Sequence, residues 1–215
     1  MLEIRQKVLG PEHPDIAVSL NNLANLYYDH GQVKKAEQLW KRALEIQHEA
    51  LSSEHPSIAT SLGNLAHLYR REGRQKDAEP LLRRALAIRE RMLGPEHSEF
   101  AKSLNDLALF EEDQGQHKEA ERMLKRAVEI YEKALGPDHP HTRTNVHNLA
   151  VFYANQQRFL EAEPYFKREL STFEKTLGIE HPEVALLVQG YAHVLEKLGR
   201  GRDAHKLRAR FGEKR

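Results

Sequence analysis

PDIAVSLNNLANLYYDHGQVKKAEQLWKRALEIQHEALSSEH, residues 14–55, is one unit of a pattern that organises the whole chain. The His13-Pro14 pair that introduces it returns as His55-Pro56, His97-Ser98, His139-Pro140 and His181-Pro182, at a constant step of 42 residues. An unbroken period near 40 is the mark of a repeat array, in which each unit buries its apolar face only against its neighbours. Such an array predicts a long surface suited to holding another chain and leaves little room for a catalytic pocket.

Within the unit, Pro14 suits the first position of a helix, where a missing N–H has no partner to lose, and Asp15 adds favourable negative charge. Ile16, Leu20, Leu23, Ala24 and Tyr27 follow at spacings of three and four, which puts them on one helical face. Gly31 supplies the positive φ that commonly ends a helix. A second periodic stretch runs through Ala36, Leu39, Trp40, Ala43, Leu44 and Ile46, and stops near Leu51. Sister units stop at Leu9-Gly10-Pro11, Leu93-Gly94-Pro95, Leu135-Gly136-Pro137 and Leu177-Gly178-Ile179. Each unit therefore predicts a hairpin of two helices of roughly 17 residues, about 25 Å long at 1.5 Å per residue. Alanines recur where the helices must approach closely: Ala24, Ala66, Ala108, Ala150 and Ala192, then Ala36, Ala78, Ala120, Ala162 and Ala204.

These spacings imply an all-α chain of about eleven helices, read as a single array over residues 1–215. Repeats cover 14–55, 56–97, 98–139 and 140–181, and residues 182–215 form a shortened repeat with a charged cap. Residues 1–9 align with 43–51 and read as the end of a second helix from a preceding unit, as if the chain were excised from a longer array or engineered to begin there. The seam at Leu2, Ile4 and Val8 would then lack its neighbour, and self-association through that end is expected.

Composition narrows the function classes. Thirty-three basic against 32 acidic residues give a formal net charge of +1, which favours neither nucleic acid nor membrane. The seven basic residues from Arg200 to Arg215 read as a solvated capping helix rather than a nucleic-acid contact. No apolar run approaches the ~20 residues of a membrane span, and Met1-Leu2-Glu3-Ile4-Arg5 is no signal peptide. The chain has no cysteine, so disulfides and thiolate metal sites are excluded. Its 13 histidines do not suggest a metal, because those of the His-Pro loops lie one repeat apart and His139-Pro140-His141 lacks further ligands at zinc-like spacing. No phosphate loop, nucleophile elbow or zinc-protease motif is present, so no enzyme and no cofactor are expected.

The pattern Leu-Ala-x-Leu-Tyr, then Gly, then Ala-Glu and Ala-Leu/Val-x-Ile resembles the tetratricopeptide repeat. With 42 residues instead of the usual 34, and with Leu-Asn-Asn-Leu-Ala and Leu-Gly-Pro-x-His-Pro, it is similar to the repeats of kinesin light chains and their bacterial relatives. The resemblance implies a right-handed superhelical solenoid whose first helices line a concave groove. It also implies a cytoplasmic, non-enzymatic scaffold for a protein or peptide. The alternative is a regulatory or sensor segment of a larger signalling protein, such as a nucleotide-switch ATPase.

By the same resemblance the groove draws on Asn21, Asn22 and Asn25 in the first unit, Asn64, His67, Arg70 and Arg71 in the second, Asn105 in the third, and His147 and Asn148 in the fourth. Asn22, Asn64 and Asn148 share one register, with Asp106 and Gly190 at the equivalent places. A carboxamide both donates and accepts, so a ladder of them can pair with an extended backbone whatever its side chains; similar asparagines in kinesin light chains contact cargo peptides. His67, Arg70 and Arg71 make the second unit basic, which favours an acidic group in the ligand. Several residues depart from the pattern. Glu111 stands in the register of Tyr27, Tyr69 and Tyr153, and Glu169 in that of Ala43, Ala85 and Ala127. Gln157 replaces the helix-ending glycine, while Pro80 and Pro164 fall inside second helices, where a lost hydrogen bond or mild kink is expected.

Overall fold

The computed structural model describes residues 2–176 and 181–212. Eleven α-helices and no strand occur among them: α1 (Leu2–Leu9), α2 (Pro14–Asp29), α3 (Val33–Ala50), α4 (Pro56–Arg71), α5 (Gln75–Leu93), α6 (Ser98–Asp113), α7 (His117–Leu135), α8 (Pro140–Asn155), α9 (Phe159–Thr176), α10 (Pro182–Lys197) and α11 (Gly201–Gly212). The helices gather into two compact units, Met1–Met123 and Leu124–Arg215. Leu177-Gly178-Ile179 and the side chain of Leu2 lie outside the described part.

The recurring histidines start the helices. Each is the N-cap of a first helix, and its Nδ1 accepts the backbone N–H two residues on: Asp15 at 3.2 Å, Ser57 at 3.2 Å, Glu99 at 3.1 Å, His141 at 3.2 Å and Glu183 at 3.3 Å. The imidazole thus satisfies an N–H that the helix itself cannot. At the other end, Gly31 adopts φ +72°; its N–H bonds Tyr28 O at 2.9 Å and that of Gln32 bonds Tyr27 O at 2.8 Å. This 5→2, 6→1 pair closes the helix with a left-handed residue. Gln157 holds the same conformation at φ +57° without a glycine's freedom. Helices α5 and α9 run continuously through Pro80 and Pro164.

All ten alanines of the two registers are fully buried. They let first and second helices close on one another, and side chains such as Ile16, Leu20 and Ile46, or Ile58, Leu62 and Ile88, fill the layers between. Glu111 is compensated: it is 7% exposed, and Arg83, one turn beyond Glu79 on α5, donates from Nη2 to its Oε1 at 2.8 Å. In the second hairpin the aromatic version survives. Tyr69 donates to Glu37 at 3.0 Å, and the Arg74 guanidinium lies 3.7 Å from the Tyr69 ring centroid.

Candidate functional site

In the first of the two compact units, Met1–Met123, which spans more than one repeat, α2, α4 and α6 present their first-helix faces. Asn22 and Asn25 are exposed on α2. Asn64, on α4, donates from Nδ2 to Asn25 Oδ1 at 3.4 Å, leaving the other amide atoms of the pair open to a ligand. One turn on, Arg71 donates to the Tyr28 hydroxyl at 2.9 Å, and the edge of His67 meets the Tyr28 ring at a centroid distance of 5.9 Å. Loss of water around His67 pushes its pKa below the ordinary 6.5, and Arg70, Arg71 and Lys102 push the same way.

Two residues of the expected set play different parts. Asn21 is 7% exposed, and its Nδ2 donates to Ser61 Oγ at 2.7 Å, while Ser61 donates to Gln47 Oε1 at 2.8 Å. Its amide joins α2 to α4 below the surface, so it is removed from the candidate contact set. Arg70 pairs with Asp113 at 3.4 Å, which leaves Arg71 as the more open guanidinium. Asn105 hydrogen-bonds Asp106, whose carboxyl is pushed up by burial against the opposing pull of Lys102, Arg89 and Arg70. Asp106, Gly63, His67 and Arg70 border a small recess of about 20 Å³, room for roughly one water. Beneath this face lies Arg89, 1% exposed, which donates to Ser103 at 2.7 Å and Thr60 at 3.2 Å and pairs with Glu99 at 3.0 Å. The polar register Gln47–Arg89, which would have announced this layer, is obscured by Tyr131 and Phe173 one and two repeats further on.

In the second unit, His147 and the half-buried Asn148 lie on α8. His147 Nδ1 is 3.0 Å from Glu169 Oε2, and this hydrogen bond raises its pKa above 6.5 against the effect of desolvation. Arg143, Thr144, Phe173, Leu186 and Leu187 join the pair around an open cavity of about 350 Å³ between α8, α9 and α10. Sequence reasoning passed over Arg143, although Ala17, Ala59, Ala101 and Ala185 hold its register in the other repeats. Among the described residues no three His, Cys, Asp or Glu side chains gather as for a metal ion, and no helix is long and apolar enough to cross a membrane.

The repeating hairpins, their caps and their alanine contacts find a direct counterpart in known proteins. One tetratricopeptide repeat profile matches residues 2–46, 21–91 and 142–207, and a second matches residues 100–141. The chain belongs to the tetratricopeptide repeat family. Nearly identical TPR-like repeats of a candidate kinesin light chain from Podosopora anserina are 31% identical to it, with a TM-score of 0.77 over 93% of this chain and 94% of that one. BtubC (BKLC) from P. vanneervenii gives a TM-score of 0.83 at 23% identity, over 98% of this chain and 85% of that one. Nephrocystin-3 of Xenopus laevis is 48% identical over 42 residues, which amount to 20% of this chain and 3% of nephrocystin-3. The fold is therefore an all-α solenoid of kinesin-light-chain-like hairpins. Tetratricopeptide repeats generally mediate protein–protein contacts, and neighbours of this kind are typically non-catalytic scaffolds.

Proposed function

We propose that the chain is a non-enzymatic, cytoplasmic scaffold that holds an extended segment of a partner protein along its first-helix face. The observation that carries this reading is the grouping of open amides, Asn22, Asn25 and Asn64, beside the cluster of His67, Arg71 and Lys102 on one face of the first unit. The amides pair with the ligand backbone and confer tolerance of sequence, while the cations select a segment carrying an acidic side chain. Each lost amide contact costs about 1 kcal/mol and each charge-assisted one about 1.5–3 kcal/mol. Asn22→Ala/Asn64→Ala is expected to weaken binding roughly ten- to a hundred-fold with the fold intact.

The test uses fluorescence anisotropy of the intact chain with a library of capped acidic and neutral hexapeptides. Acidic peptides should bind preferentially, the double variant should weaken them, and Arg71→Glu or raised salt should erase the preference. Equal binding of all peptides by parent and variants would reject the groove reading in favour of the convex face or the loops.

A further inference from the structure

The fourth hairpin contains two charges where its sisters have none. Arg143 occupies the register of Ala17, Ala59 and Ala101, each fully buried, and Glu169 that of Ala43, Ala85 and Ala127, also buried. Placing charge between packed helices is costly unless it is compensated, and these two do not compensate each other. Glu169, 5% exposed, spends its Oε2 on His147. The Arg143 guanidinium lies over the Phe173 ring at 4.8 Å and donates from Nη1 to Thr176 at 3.0 Å. Its Nε is buried with no hydrogen-bond partner, and it has no carboxylate partner among the described residues.

Both side chains border the 350 Å³ cavity; its open apolar surface comes from Leu186, 71% exposed, while the buried Phe173 and Leu187 form its floor. The cavity also lies against the first two turns of α8 and of α10, where the partial positive charge of the helix N-termini is greatest. Glu169 and Glu183 are the opposing charges: Glu169 is engaged by His147, and Glu183 stands exposed at the mouth, where water screens it.

We propose that this pocket reads side chains. It takes an apolar side chain of a partner segment against Leu186, and the neighbouring carboxylate of that segment on Arg143 and His147. Glu169 acts as a positioning residue, holding the imidazole with Nδ1 turned inward and Nε2 toward the ligand. The proposal rests on the reading that the first-helix faces take an extended chain, and adds a sequence requirement that the amides cannot impose.

The experiment titrates the intact ¹⁵N-labelled chain with three capped tetrapeptides: acetyl-Gly-Leu-Glu-Gly-amide and its Gln and Lys counterparts. The Glu peptide should shift the Arg143 Nε–H and His147 ring signals and bind about tenfold tighter than the Gln peptide. Arg143→Ala restores the alanine of the sister repeats, so the variant should fold at least as stably and lose that tenfold preference. Glu169→Ala should likewise fold and should reduce the preference while returning the His147 titration toward 6.5. Equal affinity for the Glu and Gln peptides, tightest binding of the Lys peptide, shifts confined to other residues, or no shift at all would each overturn the assignment. Backbone signals of Asn22 and Asn64 report the first-unit face in the same titration, so failure there is distinguished from failure here.

Discussion

Glu111 and Arg83 offer a quantitative test of how the array tolerates a charge in an aromatic register. Removing one partner of a buried ion pair costs about 3–5 kcal/mol, because the other charge stays buried. Arg83 is itself 53% exposed, so screening lowers the expected cost of Arg83→Ala to about 2 kcal/mol. Loss of its i,i+4 pair with Glu79 adds roughly 0.3–0.5 kcal/mol. Glu111→Tyr restores the sister residue, and Arg83 should then stack on the new ring as Lys125 lies 5.9 Å from the Tyr153 centroid. In that background Arg83→Ala should lose only the cation–π contact and the Glu79 pair, about 1 kcal/mol together. Guanidinium unfolding of the four proteins, followed by circular dichroism, should give a coupling energy of about 1–1.5 kcal/mol. A coupling within a few tenths of zero would show that the Glu111 carboxylate does not depend on Arg83, and the argument for compensated replacement would fail.

Gln157→Gly should raise stability by about 0.5–1 kcal/mol, the relief of left-handed strain less the greater freedom of unfolded glycine, and a lowered unfolding midpoint would contradict the strain. His97→Ala removes the acceptor for Glu99 N–H and should cost about 1 kcal/mol, while His97→Asn, also a good N-cap, should recover most of it; equal losses would deny the capping role. His147 is raised by Glu169, so its contribution to stability is complete below pH 6.5 and fades as pH rises through the folded titration; NMR should place that titration above 6.5 and Glu169→Gln should lower it. His67 runs the other way. Its depressed pKa penalises the folded chain as pH falls below 6.5, and Arg71→Gln should move its titration upward.

The hairpins were legible because their determinants are local. A capping histidine, a positive-φ glycine and a run of apolar residues at spacings of three and four each act within one or two turns, and the copies repeat them, with Gln157 standing in for one glycine. The candidate site was legible only in part. Asn22 and Asn21 are adjacent in sequence, and periodicity alone does not say which points outward; Asn21 turns in because Ser61, one repeat on, offers an acceptor hydroxyl. Arg70 looked like an open cation until α6 supplied Asp113. Such pairings depend on residues some 40 positions apart, across helices whose rotation the spacing leaves undetermined. The polar layer beneath the first-unit face escaped for the same reason, as did the significance of Arg143 for the second-unit pocket.

The buried hydrogen bonds also bear on where such a chain tolerates recombination. The Asn21–Ser61–Gln47 linkage draws on α2, α3 and α4, and Arg89 ties α5 to both α4 and α6. Crossovers between hairpins in this stretch would separate donors from acceptors and leave buried amide or guanidinium groups in a foreign copy. The contacts of Arg143 and Glu169, by contrast, begin and end within the α8–α9 hairpin. Those two charges therefore travel with their own hairpin when it is duplicated or transplanted, whereas the buried polar residues of the hairpins upstream are inherited best as a block.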